Sequence, residues 1–224
     1  MPRREKNSAT RLLDTAERLF GEYGYDGVGV RMITEEAGVN LGAVTYHFGS
    51  KEALYVETFM RHARPMHAES MRRLNVAKEA YGGNPLPIER VIECMLDPMF
   101  DTSLGVNESS DRFIARTILT PPPFMAKVLR ENISPVIETF LVEMQHSLPE
   151  IPEDLLHFRH MFAMGSIMMF TIKSMNMPGM KDEKLREAMI REMIRFIAAG
   201  MSEKPATDPA DRPKLPSNPA EMGG

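Results

Sequence analysis

Apolar positions recur at helical spacing along almost the whole chain, and no clear period-two run bounded by turn residues is present. In SATRLLDTAERLFGEYG, Leu12, Ala16, Leu19, Phe20 and Tyr23 fall three or four apart and paint one stripe. Ser8 can cap this helix and Gly24 can stop it. A short helix is expected over 31–37, followed by Gly38, where a left-handed residue would turn the chain. The next helix is expected over 41–48, with Asn40 as N-cap and Gly49 as its end. Ser50 then caps a long helix carrying Leu54, Val56, Phe59, Met60 and Ala63 to about Asn75, with a kink or break expected at Pro65. After the YGGNPLP loop, helices are predicted over 88–100, 109–119, 124–146, 153–175 and 182–201, with Pro135 able to split the third of these.

The pattern therefore predicts an all-α chain of about nine helices. It divides into a helix-turn-helix domain at 1–55, a connecting helix at 56–80, a larger helical domain at 81–201 and a Pro-rich, disordered tail at 202–224. Composition narrows what such a chain can do. The formal net charge of −4 argues against indiscriminate binding to nucleic acid but permits a local site. The N-terminus lacks an apolar signal core, and the longest apolar run, MFAMGSIMMFTI, is too short to span a bilayer, so a cytoplasmic protein without membrane partners is expected. The single cysteine, Cys94, fits a reducing compartment and reads as a core residue.

Three helices joined by tight turns, the second and third both short, make the sequence form of a helix-turn-helix. Leu19, Phe20, Ile33, Ala37, Val39, Val44 and Phe48 can share a small core. That leaves Leu41, Gly42, Ala43, Thr45, Tyr46 and His47 at the front and sides of the third helix. Small residues there allow the backbone to approach base edges, and Thr45 can bond to a base or touch a thymine methyl. Tyr46, His47 and Lys51 have the chemistry for phosphate oxygens, helped by the amides at the Ser50-capped helix start. Arg3 and Arg4, on an expected flexible N-terminal arm with Lys6, could reach an adjacent groove.

Across RLLDTAERLFGEYGYDGVGVRMITEEAGVNLGAVTYHFGSKEALY, residues 11–55, the chain resembles the TetR family of transcriptional regulators. The resemblance rests on the first-helix stripe, Gly24, Arg31, the Ala37-Gly38-Val39 turn, Tyr46-His47-Phe48 and Ser50-Lys51-Glu52-Ala53-Leu54. It implies that Arg31 contacts a base or phosphate from the second helix. It also implies that Leu41, Gly42, Ala43 and Thr45 face the bases, and that Tyr46, His47 and Lys51 anchor the backbone. Many family members carry tyrosine where this chain has Thr45, so base preference at that position is not inherited.

No catalytic motif appears between Ile88 and Met201, and no enzyme activity is expected. His157 and His160 stand three apart with Glu153 a turn before, yet no third or fourth ligand of similar quality lies near, so neither metal nor cofactor is expected. The 20 methionines are more telling. Met161, Met164 and Met168, with Phe158 and Phe162 around the same helix, suit either a plain core or an apolar pocket. The family resemblance implies a dimer made by the last two long helices, for which Gly165, Ile172, Ile190, Ile194 and Ile197 are the candidate contacts. SLPEIPEDLLHFRHMFAMGSIMMFTIKSM and MIRFIAAGM are similar to the branch of that family sensing long-chain fatty acids or their CoA esters, which implies an apolar, acyl-type effector. The expectation is a homodimeric repressor released from double-stranded operator DNA by such a molecule. The alternative is a small-molecule-binding or enzymatic helical bundle whose helix-turn-helix serves protein contacts.

Overall fold

The computed structural model describes residues 2–104, 107–174 and 182–206, except for the side chains of 2–7, 102 and 172–174. The expected tail falls almost wholly outside this range. Among the described residues every regular element is helical, with ten α-helices and two short 3-10 turns. The chain forms two compact units, one from residues up to 69 together with 98–135, the other from 70–97 together with 136 onward.

The first unit holds α1 (Pro2–Tyr23), α2 (Val30–Ala37), α3 (Ala43–Phe48) and the first part of α4 (Lys51–Ala80). The chain then leaves it for α5 (Ile88–Leu96) and returns for α6 (Glu108–Leu119) and α7 (Met125–Asn132). The α1 stripe of Leu12, Ala16, Leu19 and Phe20 is buried against Ile33, Ala37, Val44, Leu54, Tyr55 and Phe59, as its spacing requires. Phe113 of α6 and Met125 of α7 complete the same core. Phe113 sits close on α1 because position 21 is glycine: a Cβ there would lie 3.3 Å from the Phe113 amide nitrogen. An aromatic cluster joins these helices, with the Tyr55 ring centroid 4.8 Å from Phe20, 5.0 Å from Phe113 and 5.7 Å from Phe124. The buried Tyr55 hydroxyl bonds Thr117 Oγ1 at 2.8 Å, and Thr117 in turn donates to the Phe113 carbonyl. Helices α6 and α7 therefore pack in the same compact unit as the helix-turn-helix.

Local expectations fare unevenly. Ser8 is no N-cap, because α1 already begins at Pro2, and the expected arm is helical backbone. Helix α4 passes through Pro65 unbroken, with that proline exposed and both flanks packed. The predicted helix at 88–100 ends at Leu96, since Pro98 converts its last turn to 3-10 geometry over Asp97–Phe100. The predicted helix at 124–146 splits after Ile133, and Pro135 sits in the first turn of α8 (Ser134–Ser147), where its missing N–H costs nothing. That split makes ten α-helices from an expected nine.

In the second unit α5 packs against α10 (Glu183–Ser202), with Ile88, Val91, Ile92 and Leu96 buried on one side and Met193, Ile194, Ile197, Ala198 and Met201 on the other. Helix α9 (Glu153–Ser174) also packs on α10, and Arg159 donates to the Met201 carbonyl at 2.6 Å. No described helix is long and apolar enough to cross a membrane.

Candidate nucleic-acid interface

The turn between α2 and α3 is fixed by backbone geometry. Gly38 takes φ 62° and ψ 41°, and its N–H bonds the Glu35 carbonyl at 3.1 Å while the Val39 N–H bonds Thr34 at 3.0 Å. Arg11 reaches from α1 to donate to the Gly38 carbonyl at 3.2 Å, and any Cβ at this position would lie 2.4 Å from that guanidinium. Glycine is thus favoured by its left-handed conformation, and a larger residue would displace the Arg11 guanidinium from this carbonyl. Helix α3 then starts at Ala43, whose amide bonds the Asn40 carbonyl at 3.0 Å, leaving Leu41 and Gly42 in a tight turn ahead of it. Gly49, at φ 83°, ends α3. Ser50 Oγ accepts from the Ala53 amide at 3.0 Å and caps α4 as its sequence predicts.

This framework holds one polar and apolar surface outward. Leu41 is 59% and Tyr46 72% exposed, and Gly42 and Thr45 are exposed beside them. Arg31, on α2, leaves 83% of its side chain in solvent while donating to Glu35 at 2.8 Å. His47 is half-buried: its Nε2 pairs with Ser8 Oγ at 2.8 Å, tying α3 to α1, and its ring meets Tyr46 edge-on at 4.9 Å. Lys51 is half-buried too, its ammonium 3.9 Å above the Tyr25 ring. Burial pushes its pKa down, against the opposing pull of Asp26 and Glu52.

One expected base-facing residue is withdrawn. Ala43 is only 7% exposed and belongs to the core, because the first turn of α3 points it inward beside Val44. The side chains of Arg3 and Arg4 lie outside the described residues. Sequence reasoning missed Arg11, Ser8 and Tyr25, which hold the turn, His47 and Lys51 respectively; each acts across a long stretch of chain, without a local signal.

Behind the surface, α1, α4 and α6 share a buried charged cluster, also unforeseen. Glu17, 3% exposed, accepts hydrogen bonds from Arg61 and from His62, the latter at 2.6 Å, and Arg61 also pairs with Asp14 at 2.6 Å. Burial pushes the Glu17 pKa up, but the bonds and charges of His62 and Arg61 together outweigh it, and the net shift is downward. Asp111 of α6 faces the same cluster, and burial raises its pKa to about 6.

The residues expected at the effector and dimer sites separate. Phe158, Met164 and Met168 are half-buried, whereas Met161 and Phe162 are exposed, Phe162 by 68%. Ile194 and Ile197 are buried by their own chain, in the packing of α10 on α5, and have little surface left for a partner. Ile190 is half-buried, Gly165 is exposed, and the Ile172 side chain lies outside the described residues.

Two family models match this chain. One, described as bacterial regulatory proteins of the tetR family, covers residues 12–58, and one described as a tetracyclin repressor-like C-terminal domain covers residues 93–200. The HTH-type transcriptional repressor AcnR of Corynebacterium glutamicum is 32% identical over 102 residues, covering 42% of this chain and 54% of that protein. The chain thus spans about half the length of the curated relatives it matches first. The HTH-type transcriptional dual regulator CecR of Shigella flexneri is 41% identical over 69 residues, covering 28% of this chain and 30% of that one. Among solved structures, a tetR-family transcription regulator from Shewanella sp. PV-4 aligns with a TM-score of 0.57 at 17% identity, over 85% of this chain and 95% of that one. HlyIIR, a hemolysin II transcriptional regulator, aligns at 0.54 and 18% identity, over 89% and 99%. At such identities these two structures speak for the fold alone.

Proposed function

The chain belongs to the TetR family of bacterial regulatory proteins, and from that premise we propose that it is a homodimeric transcriptional repressor whose α3 enters the major groove of an operator half-site. The observation that carries this reading is the outward set of Leu41 and Gly42, in the turn before α3, and Thr45 and Tyr46 on α3, a helix that gives only Ala43 and Val44 fully to the core. Leu41 and Thr45 touch bases and Arg31 contacts a base or phosphate from α2, while Tyr46, His47 and Lys51 meet phosphates. His47 and Lys51 do so from positions fixed by Ser8 and the Tyr25 ring.

The unit carries no excess of basic over acidic residues, so one copy binds weakly and two are needed. The dimer face is the exposed apolar stripe of Met161, Phe162, Gly165 and Met169 on α9, together with Phe196 on α10. Gly165 has nothing within 4 Å of an added Cβ, which leaves room for a partner helix to approach. A small molecule held in the second unit favours a conformer whose two heads are wrongly spaced for half-sites about 34–36 Å apart, and so releases the operator.

The test is titration of the protein onto its own upstream intergenic DNA at rising salt. Operator affinity should fall steeply with ionic strength as phosphate contacts displace counterions. Failure to shift that DNA at low salt would end the proposal.

A further inference from the structure

In the second unit the end of α4 and the loop after it border, with the end of α8, an open cleft of about 780 Å³ whose walls are mostly apolar. A space of that order suits an organic molecule. Pro85 and Pro149 give it stiff apolar wall, while Lys78, Glu143 and Gln145 give it polar atoms. Glu143 sets the chemistry. Its side chain is 8% exposed, and a carboxylate so far from water needs a cation beside it. Lys78 supplies one, its Nζ donating to Glu143 Oε1 from a side chain that is 47% exposed. Among the described residues Oε2 accepts no hydrogen bond, since His146 Nδ1, at 3.7 Å, stands too far to donate.

Gln145 adds a second acceptor. Its Nε2 donates to the Leu148 carbonyl at 3.1 Å and to the Ile151 carbonyl at 3.0 Å, and two carbonyl partners fix which end of the amide is nitrogen. The oxygen is thereby fixed too: Oε1 is buried and, among the described residues, has no partner. The polar side of the cleft is therefore short of donors, and the ammonium of Lys78 is already committed to Glu143.

We infer that this cleft holds the effector and that the effector is an organic cation, an ammonium on an apolar body, whose nitrogen takes the place of Lys78 against Glu143. This rests on the ligand-responsive regulator reading above and names the chemistry of its ligand. One ammonium replaces another, so Glu143 stays paired throughout the exchange. Lys78 has a flexible four-carbon stem and is already half in water, so its return to solvent costs little. An ammonium has three donors, which leaves some for the Gln145 oxygen once Glu143 is served. A carboxylate head would set a like charge beside a buried one and is rejected. A neutral head leaves Lys78 in place and gains only apolar contact.

The experiment is calorimetric titration of the full chain, at constant ionic strength, with phenylbutylamine, which is cationic at neutral pH. Phenylbutyrate and phenylbutanol carry the same apolar body on an anionic and a neutral head and are titrated beside it. The amine should bind saturably with a Kd of about 1 mM or tighter, and the other two at least about tenfold more weakly. Glu143→Gln keeps the shape and removes the charge, so it should weaken amine binding at least about tenfold and abolish the preference over phenylbutyrate. Lys78→Ala removes the resident ammonium, so the amine should bind about threefold tighter or more. It should also raise the melting temperature further than in the parent, a gain that a damaged fold would not show. Should Glu143→Gln fail to fold, the three heads and Lys78→Ala still decide. The amine should lower operator affinity of the parent but not of Glu143→Gln. No saturable amine binding by about 10 mM, equal or tighter binding of phenylbutyrate or phenylbutanol, weaker amine binding by Lys78→Ala, or amine binding without operator release would each overturn the inference. Tighter phenylbutyrate would also mark an acyl-type effector in its place. The titration needs no DNA, so a protein that fails on operator alone would refute the regulator reading, while one that holds operator yet ignores the amine would refute only this site.

Discussion

Replacing Asp111 by Asn should stabilise the protein at neutral pH, although it removes a charge from a helix N-terminus that favours acids. Asp111 lies in the first turns of α6, where the Asn107 side chain already accepts from the Ser109 and Ser110 amides at 2.9 and 3.2 Å, and Ser110 Oγ returns a bond to Asn107. Among the described residues no hydrogen bond reaches its carboxylate. Burial, the largest cause, raises its pKa from 3.8 to about 6; His62 pulls it down, and Glu108 and Glu17 push it up. About two units correspond to roughly 3 kcal/mol at 1.36 per unit. The helix dipole returns about 0.3–1 kcal/mol to the anion, so a gain of about 2 kcal/mol remains for the neutral amide. The sign follows from linkage. A carboxylate with a raised folded-state pKa binds more protons when folded, so wild-type stability falls as pH climbs from about 4 to about 6. The Asn variant should be ahead by its full margin above about pH 6 and level with the parent below about pH 4. Urea denaturation at both pH values, at one fixed protein concentration, measures this. A variant less stable than the parent at about pH 7.5, or equally improved at both pH values, would refute the reasoning.

Glu17→Ala should cost about 2–3 kcal/mol, below the usual range for a broken buried pair because Arg61 retains Asp14 and part of its exposure; the stability Glu17 supplies is present near neutrality and lost as pH falls below about 4.5, which acid titration of unfolding would reveal. Tyr55→Phe should cost only about 1 kcal/mol in a thermal melt, since Thr117 still donates to the Phe113 carbonyl and no donor is orphaned. Lys51→Ala should weaken binding to all DNA sequences alike and lower the salt slope by about 1 per protomer, or about 2 for the dimer, whereas Thr45→Ala should shift sequence preference in a binding-site selection assay. Phe162→Asp with Phe196→Asp should yield monomers by sedimentation and lose operator binding without unfolding, because both side chains lie mostly in solvent within one chain.

The parts of the fold legible in the sequence are those fixed within a few residues of themselves. The α1 stripe, the left-handed Gly38 and the Ser50 cap each follow from spacing or from one residue's chemistry, and each stands where it was expected, save that the stripe ends at Phe20 and leaves Tyr23 49% exposed. Errors arise where a boundary or a partner decides. Ala43 stands about 100° around the helix from the inward Val44, and the buried stripe is wide enough to take both, so a residue expected at the bases lies in the core. The membership of α6 and α7 depends on Phe113 seating against Gly21, a pairing of positions 92 residues apart that no local pattern announces.

The dimer residues show the same limit in another form, and they bear on what the last two helices do. An apolar residue repeated every three or four positions says that a face is buried, not by what. On α10 two faces are apolar: Met193, Ile194, Ile197 and Met201 are consumed by their own chain, while Leu185 and Phe196 are left outside. On α9, Ala163 and Ile167 point inward and Met161, Phe162 and Met169 outward. Bulky side chains like these, left exposed on two adjoining helices, exceed what scattered surface residues explain. Covering them takes a second body with a matching apolar face, and a second copy of the same pair of helices offers one by symmetry. The methionines of α9 are divided accordingly, Met161 and Met169 standing outward and Met164 and Met168 half-buried.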